Sequence, residues 1–227
     1  MNNVIARIVS WIVALAVPIA LIGLAVRLVL VPAFLQVEYH MPYFPADDYG
    51  FTTQQRIHWA TFAWNYLVNS ADASYLGNLK FEDGRPLFNE REVSHMHDVK
   101  GVIQGTFKAW AACLLLLALL GWWCWRTRRL KTFRAGLRLG GWLTIGLAVL
   151  IGSIVVIGIA MDPNVFWNFF AWFHGLFFKG NTWIFEYSDT LIRLFPIRFW
   201  QDTFLVAAAI VLAGGLGLAL GFREERT

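Results

Sequence analysis

Four stretches of this chain are long and apolar enough to cross a lipid bilayer, and they constrain the fold more than any other feature. A helix needs about 20 apolar residues to span a hydrocarbon core of about 30 Å. The stretches cover residues 5–31, 105–125, 137–160 and 204–222, in a chain that is 58% hydrophobic with a mean hydropathy of +0.53. The first is longer than the roughly 7–15 apolar residues of a signal peptide, so we expect an uncleaved anchor. The sequence therefore predicts an all-α membrane protein with four transmembrane helices.

Basic residues predict the orientation of these helices, because cytoplasmic loops of membrane proteins are enriched in Lys and Arg. Eight such residues lie in the connection 126–136, at the start of the third stretch and in the tail 223–227: Arg126, Arg128, Arg129, Lys131, Arg134, Arg138, Arg223 and Arg226. We therefore expect both termini and this connection in the cytoplasm. Residues 32–104 and 161–203 should then form a mainly helical extracytoplasmic cap. The net charge of +4 reflects this topology and does not predict nucleic acid as a partner.

The first outer segment, residues 32–104, contains signals of ordered structure. Thr52 or Thr53 can cap a helix that runs to about Val68. Asp83-Gly84, between two short apolar runs, is typical of a hairpin turn. These signals predict a folded segment that delivers the chain to the start of the next helix.

Residues 89–100 concentrate ionisable side chains next to the membrane. Asn89 and Glu92 have the spacing of a capping box, in which each side chain bonds to the other residue's backbone amide. No proline separates Glu90 from Trp125, so we expect one helix to continue from this cap into the second apolar stretch. Ionisable groups at a bilayer are costly to dehydrate, and such a cluster indicates a functional site.

Glu92, His95 and Asp98 follow one another at intervals of three residues, which predicts that they share one face of this helix. A carboxylate hydrogen-bonded to an imidazole fixes its tautomer and raises its basicity. We therefore expect His95 to be a general base with a carboxylate neighbour that orients its ring. His97 is rotated by roughly 200° from His95 and should not be needed.

The second outer segment, residues 161–203, is dominated by aromatic side chains. Asp162-Pro163 is typical of a helix start, and Lys179-Gly180 of a helix end. The helix between them is too short to span, so we expect it to lie in the membrane interface. His174 lies within it, where leaving the imidazole unpaired would be costly, and this favours a functional role. Ser188 or Asp189 should cap a further short helix.

Besides an enzyme that uses His95 as a general base, the residues alone leave two other kinds of protein possible. His95, His97, Asp98 and His174 could ligate zinc in a metal-dependent membrane hydrolase of lipid or peptide bonds. Metal-binding histidines on one helix usually stand at i and i+4, however, and an i, i+2 pair points to opposite sides. The third possibility is a non-enzymatic membrane protein that docks a partner through its outer segments. We predict neither a metal nor another cofactor.

A family resemblance distinguishes among these possibilities. The run Arg91-Glu92-Val93-Ser94-His95-Met96-His97-Asp98-Val99-Lys100 resembles the R-E-x-x-H-M-x-D-V-K signature of the bacterial lipoprotein intramolecular transacylase family. The second outer segment is similar to the same family in Phe173-His174, Phe177-Phe178, Trp183, Asp189-Thr190-Leu191-Ile192 and Pro196. The similarity extends in the same order from about Gly50 to Asp202.

The resemblance implies an acyltransferase of the bacterial plasma membrane whose active site is extracytoplasmic. It implies that the enzyme moves the sn-2 acyl chain of a diacylglyceryl lipoprotein onto the α-amino group of its N-terminal cysteine, giving a lyso-form. The two functional histidines of the family correspond to His95 and His174. We predict Asp98 as a further catalytic residue, with Glu92 and Arg91 in support. The predicted substrate contacts are Lys100, Trp183 and Arg193.

Elementary chemistry agrees with that implication. N-acylation requires a neutral amine, and a histidine with a pKa near ~6.5 is suited to removing the proton. Nucleophile and ester belong to one molecule, so no acyl-enzyme intermediate is required. The sequence also contains no G-x-S-x-G nucleophile elbow. The expected partners are mature diacylglyceryl lipoproteins and membrane lipids.

Overall fold

The computed structural model describes residues 3–162 and 164–222, and every regular element in those ranges is a helix. In chain order the helices are α1 (Asn3–Val29), α2 (Pro32–Glu38), α3 (Thr53–Val68), α4 (Ser74–Gly77), α5 (Glu90–Arg126), α6 (Leu130–Met161), α7 (Val165–Phe177), α8 (Thr190–Leu194) and α9 (Ile197–Gly221). Four of these, α1, α5, α6 and α9, contain segments long and apolar enough to cross a bilayer. The prediction of an all-α protein with four transmembrane helices is confirmed.

The helix boundaries differ from the limits of the apolar stretches. Helix α6 begins at Leu130 instead of residue 137, so only residues 127–129 connect it to α5. Helix α9 begins at Ile197 instead of residue 204. Both differences have one cause: hydropathy marks the part of a helix suited to lipid, whereas the helix itself continues into polar residues. At the first stretch, α1 ends at Val29 and a separate helix starts at Pro32, since proline is favoured at a first helical position.

The chain divides into two compact units. The first consists of Met1–Arg27, Phe107–Pro163 and Leu205–Thr227, and its helices approach closely at glycines. A Cβ added to Gly140 of α6 would lie 2.6 Å from the Cβ of Val17 in α1. A Cβ added to Gly141 would lie 2.6 Å from the carbonyl oxygen of Gly215 in α9. Small residues at helix contacts are the usual device for packing helices within a membrane.

The surface of this first unit is apolar. Leu15 of α1, Leu150 of α6 and Leu205 of α9 are 61%, 58% and 68% exposed. Apolar side chains exposed along several long helices are unfavourable in water and favourable against lipid tails. The unit therefore has the surface of a transmembrane bundle.

The second unit, Leu28–Thr106 and Asn164–Phe204, contains α2, α3, α4, α7, α8 and the first turns of α5. Its short helix α8 is held by buried polar groups. The Tyr39 hydroxyl donates to the carbonyl oxygen of Leu194 at 2.6 Å. The guanidinium of Arg56 donates through Nε and Nη2 to the carbonyl oxygen of Arg193, at 2.8 and 2.6 Å. The free carbonyls at the end of α8 are satisfied in this way.

Several local predictions for this unit are confirmed. Thr52 caps α3 in a capping box with Gln55. Residues near Gly84 make a tight hairpin turn, and Gly84 has a φ of +85° that favours glycine. Helix α5 is unbroken over its 37 residues.

The start of α7 differs from the prediction. The helix begins at Val165, with Asn164 as the flanking residue, whereas Asp162 flanks the end of α6. Pro163, the other half of the predicted start signal, lies outside the described residues. The predicted end is close, since the last helical residue is Phe177 and Gly180 follows with a φ of +62°.

Candidate active site

His95 and His174 lie together in the second unit, although 79 positions separate them in the numbering of the sequence. Both lie outside the four apolar stretches, His95 on the first turns of α5 and His174 near the end of α7. Their rings are 6.2 Å apart between centroids and inclined by 24°. The two residues are only 8% and 9% exposed. A single reacting group could therefore contact both imidazoles.

His174 is held in one orientation by its own helix. Its Nδ1 lies 2.9 Å from the backbone carbonyl oxygen of Phe170, one turn earlier in α7. Because a carbonyl oxygen can only accept, Nδ1 carries the proton and Nε2 carries the lone pair. The Trp183 ring lies 4.8 Å from the His174 ring and limits its rotation. His174 thus presents a neutral imidazole whose free nitrogen is a base.

His95 is surrounded by aromatic rings. Phe178 lies 4.9 Å and Phe185 5.4 Å from its ring, measured between centroids. Its Nδ1 is buried and has no hydrogen-bond partner within residues 3–162 and 164–222. Leaving a buried ring nitrogen unpaired costs about 1–3 kcal/mol, and native proteins rarely accept this without a functional reason.

Burial sets the protonation of both histidines. Desolvation lowers the pKa of His95 from 6.5 to about 4, and the neighbouring His174 contributes a smaller effect in the same direction. Desolvation also lowers the pKa of His174, although its bond to Phe170 acts in the opposite direction. Because protonating either ring places a charge in an apolar site, the pair is neutral at physiological pH.

Glu92 is buried near this site but does not orient His95. Its Oε2 accepts from the backbone amide of Asn89 at 2.7 Å, and Asn89 Oδ1 accepts from the Glu92 amide at 3.0 Å. The predicted capping box is therefore confirmed. Oε1 accepts at 2.7 Å from the amide of Leu191 in α8. Both oxygens of Glu92 are thus occupied by backbone amides, one at the start of α5 and one in α8.

Asp98 is exposed, and no hydrogen bond joins it to His95 anywhere in the described chain. The predicted carboxylate–imidazole contact is thus wrong. The reason is geometric. Three residues turn a helix by about 300°, which is about 60° short of a full turn, so each residue of the series is rotated by about 60° from the one before it. Two steps move Asp98 about 120° from Glu92, which is enough to turn it into solvent.

Arg91 and Asp189 form a polar edge beside the aromatic wall. Arg91 Nη2 lies 3.2 Å from Asp189 Oδ2, and its guanidinium lies 5.2 Å from the centre of the Phe185 ring. Asp189 also accepts from the side-chain amide of Asn89 at 3.0 Å. These contacts place Arg91 beside Phe185, one of the rings that line His95. Asp189 occupies the predicted cap position of α8, but its side chain makes no cap bond and Glu92 supplies one instead.

The predicted substrate contacts divide into two groups. Trp183 belongs to the site, because it packs against His174. Arg193 is instead committed to structure: it pairs with Asp47 at 3.0 Å and stacks on Phe51, whose ring centre is 3.7 Å from the guanidinium carbon. Lys100 bonds to Asn69 and Ala71.

His97 does not join the pair. Its side chain is exposed, and its Nδ1 lies 3.4 Å from the Tyr66 hydroxyl. The four ligands considered for a metal are thus split, with His95 and His174 together and with His97 and Asp98 in solvent. Among the described residues no group of three or more His, Cys, Asp or Glu side chains is arranged to hold a metal ion.

Apart from Trp183, sequence reasoning assigned no role in the site to the residues that line the histidines. Phe170 accepts the His174 bond, and Phe178 and Phe185 line His95. In a segment so rich in phenylalanine, no individual ring is marked by the sequence. The i, i+4 spacing of Phe170 and His174 was the one available signal for a backbone bond within α7.

A multi-pass helical membrane protein with a buried pair of neutral histidines is the class defined by this fold and site. The family model for lipoprotein intramolecular transacylase Lit matches residues 11–200, and the chain belongs to that family.

The relatives span nearly the whole chain. An uncharacterized protein from Aquifex aeolicus is 28% identical over 221 residues, which cover 97% of this chain and 96% of that protein. The solved structure of the membrane integral lipoprotein intramolecular transacylase Lit from Bacillus cereus matches with a TM-score of 0.62 and 16% identity, over 96% of this chain and 94% of that one. A variant of that protein, in which one histidine is replaced by arginine, matches with a TM-score of 0.63 and covers 98% and 92%. These structures share the fold.

Proposed function

We propose that this protein catalyses intramolecular O-to-N acyl transfer on diacylglyceryl lipoproteins. The observation that carries the proposal is the pair of buried, neutral imidazoles, one with a fixed lone pair and the other with an unpaired ring nitrogen. Proton transfer to and from a reacting group is what such a pair can do, and membership in the transacylase family supports this substrate class. The enzyme would thus be an acyltransferase that works without an acyl-enzyme intermediate.

The reaction moves one acyl group within one molecule. The neutral α-amine of the N-terminal cysteine attacks the carbonyl carbon of the sn-2 ester, so that a C–N bond forms and the carbonyl oxygen becomes an oxyanion. The intermediate collapses with cleavage of the C–O bond to glycerol. The proton lost by the amine is delivered to the departing glyceryl oxygen. The products are an amide and a free hydroxyl, and the overall reaction is an isomerisation.

The geometry favours particular roles for the two histidines. His174 presents Nε2 as an acceptor and is suited to take the proton from the amine. His95, whose Nδ1 has no partner in the part of the chain described, is suited to donate to the oxyanion or to the departing oxygen. Because burial lowers both pKa values, both rings are neutral before the reaction, so His174 is available to accept a proton and His95 to donate one.

The surroundings fit a lipid ester better than a water-soluble one. Phe178, Phe185 and Trp183 give the site apolar walls that exclude water and favour acyl chains. Arg91 and Asp189 provide a polar edge suited to the peptide and glycerol parts of the substrate. The basic residues around 126–138 support placing this site on the extracytoplasmic side of the plasma membrane, where mature lipoproteins are anchored.

Mass spectrometry of N-terminal lipopeptides tests the proposal directly. The protein is expressed in a bacterium that makes diacylglyceryl lipoproteins and has no N-acylating enzyme of its own. We expect lipopeptides of unchanged mass whose fragment ions place one acyl chain on nitrogen. A loss of one acyl group would indicate a hydrolase, and a gain would indicate transfer between molecules. Either result, or an unmodified α-amine, would reject the proposal.

A further inference from the structure

Lys100 carries a buried positive charge that no acid among the described residues neutralises. The residue is 7% exposed and lies on α5, before the apolar stretch at 105–125. Its ammonium donates to Asn69 Oδ1 at 3.0 Å and to the carbonyl oxygen of Ala71, and it lies 4.0 Å from the centre of the Tyr66 ring. All three partners are neutral. In the described residues no carboxylate lies within 4.0 Å of this nitrogen.

Such an arrangement is costly for a lysine. Buried lysines are nearly always paired with an acid, since desolvation disfavours the charged form. Burial accordingly lowers the pKa of Lys100, and the influence of Asp72 only partly opposes this. The Asp72 carboxylate is itself solvated and bonded to Ser74, so it is a weak counter-charge. The two hydrogen bonds of Lys100 hold residues 69–71 against α5, but they leave its positive charge without a counter-ion.

An open cavity of about 530 Å³ adjoins this ammonium. Residues 68–71 form one wall, and His97, Lys100, Gly101 and Gln104 of α5 form the other. Ser70 is exposed and lines the cavity, and its hydroxyl has no hydrogen-bond partner within the described ranges. The cavity is thus lined by a lysine, an imidazole and a hydroxyl, and it contains no acid. Its volume is in the range of small-ligand sites, about 300–1,000 Å³.

We propose that this cavity binds the phosphate group of an anionic ligand, with Lys100 as its counter-charge. The Ser70 hydroxyl and the His97 ring are placed to donate to the phosphate oxygens. The cavity lies on the side of α5 turned away from His95, because His97 is rotated by roughly 200° from that residue. It is therefore a second site, separate from the acyl-transfer site and independent of the function proposed for it. A phospholipid headgroup at the membrane surface and free phosphate are the two sources of this chemistry.

The test measures lipid and phosphate binding separately. The purified full-length protein is held in a phosphate-free detergent and mixed with phosphatidylglycerol or with an uncharged glycosyl diacylglycerol, and retained lipid is counted by native mass spectrometry. A parallel titration uses inorganic phosphate followed by ³¹P NMR. We expect phosphatidylglycerol to be retained over the glycolipid, and Lys100→Gln to weaken its binding by about tenfold, as loss of a charge-assisted bond does. Lys80→Gln, which removes an exposed lysine of the same unit outside the cavity, should leave it unchanged.

A second variant keeps the test decisive if Lys100→Gln does not fold. Ser70→Asp adds a carboxylate at an exposed cavity position, where it would serve as the counter-charge of Lys100. This variant should abolish anion binding. Ser70→Asn, which adds no charge, should not. Binding of inorganic phosphate alone, sensitive to Ser70→Asp, would identify free phosphate as the source. Equal retention of charged and uncharged lipid with no phosphate binding would overturn the proposal, as would anion binding unaffected by either variant.

Discussion

Glu92 and His95 lie one helical turn apart on α5, and both are buried. They differ in hydrogen bonding, because both carboxylate oxygens of Glu92 accept bonds whereas Nδ1 of His95 is unpaired among the described residues. Each carboxylate oxygen of Glu92 accepts a backbone amide at 2.7 Å, one at the start of α5 and one in α8. The Nδ1 of His95 has no partner within residues 3–162 and 164–222. Burial without bonds is costly for both kinds of group, so the difference requires an explanation.

The comparison separates structure from chemistry within one stretch of helix. Both oxygens of Glu92 already accept hydrogen bonds. The carboxylate cannot take a proton or bind substrate without breaking the bonds that connect α5 and α8, so Glu92 is a positioning residue. An imidazole with an unpaired nitrogen is free to bond with a substrate, and its neutral form is favoured by its surroundings. The four predictions below test this division, from the largest expected effect to the smallest.

Removing either histidine of the pair should have the largest effect. His95→Ala and His174→Ala should each reduce acyl transfer by about 10²–10⁴-fold, which is the usual contribution of a general acid or base. Conversion of diacylglyceryl lipopeptide to the N-acylated isomer, measured by mass spectrometry, gives the rate. Thermal unfolding of the purified variants should show that both still fold.

His97→Ala is the matched control, because it removes an exposed imidazole from the same helix two residues away. Its rate should stay near that of the unaltered protein. Equal loss in His97→Ala and His95→Ala would mean that the site is not defined by the buried pair.

Removing the hydrogen bonds of the Glu92 carboxylate should mainly lower the free energy of unfolding. Glu92→Leu keeps the volume but leaves the amides of Asn89 and Leu191 unpaired, which should lower the free energy of unfolding by about 2–5 kcal/mol. Glu92→Gln should cost less, because its amide oxygen can still accept one of the two bonds. Chemical denaturation in detergent measures both, with the exposed residue change Glu90→Gln as control.

If Glu92 were instead a proton donor or acceptor in the reaction, Glu92→Gln would abolish activity without loss of stability. If Glu92→Gln has a normal denaturation midpoint but is inactive, Glu92 takes part in the reaction and is not a positioning residue.

Acidification should destabilise the protein through the histidines. The pKa of His95 is 6.5 in the unfolded chain and about 4 in the folded one, so between these values only the unfolded chain binds the proton. This contribution to the free energy of unfolding is fully present above pH 6.5 and is lost as the pH falls toward 4. Between pH 7 and pH 5 the loss should be about 2 kcal/mol.

His95→Phe supplies the reference for that measurement, since it retains an aromatic ring but cannot titrate. As the pH falls from 7 to 5, the unfolding free energy of the unaltered protein should fall relative to that of His95→Phe. Parallel pH profiles for the two proteins would show that His95 has an ordinary pKa and is not desolvated.

The sequence predicts the elements of this protein better than their contacts. Apolar stretches, capping boxes and the unbroken α5 depend on local patterns, and these are confirmed. The joining of α5 to α8 by Glu92 depends on residues 99 positions apart, which no local pattern encodes. The same holds for Arg193, whose pairing with Asp47 could not be distinguished in the sequence from availability to substrate. His95 and His174 were predicted individually, but their placement at 6.2 Å depends on how α7 packs in the second unit.

Asp98 gives the smallest expected effect and the closest test of the geometry. Its carboxylate is exposed and no hydrogen bond joins it to His95 among the described residues, so Asp98→Asn should change the unfolding free energy by no more than about 0.5 kcal/mol. Acyl transfer should also stay within about twofold, since an exposed charge contributes little through solvent. The assay is the same lipopeptide conversion, with Asp98→Ala to confirm that neither charge nor hydrogen bonding is required. A loss comparable to that of His95→Ala would mean that the carboxylate reaches the imidazole once substrate is bound. In that case the unpaired Nδ1 of His95 would be a feature of the substrate-free protein alone.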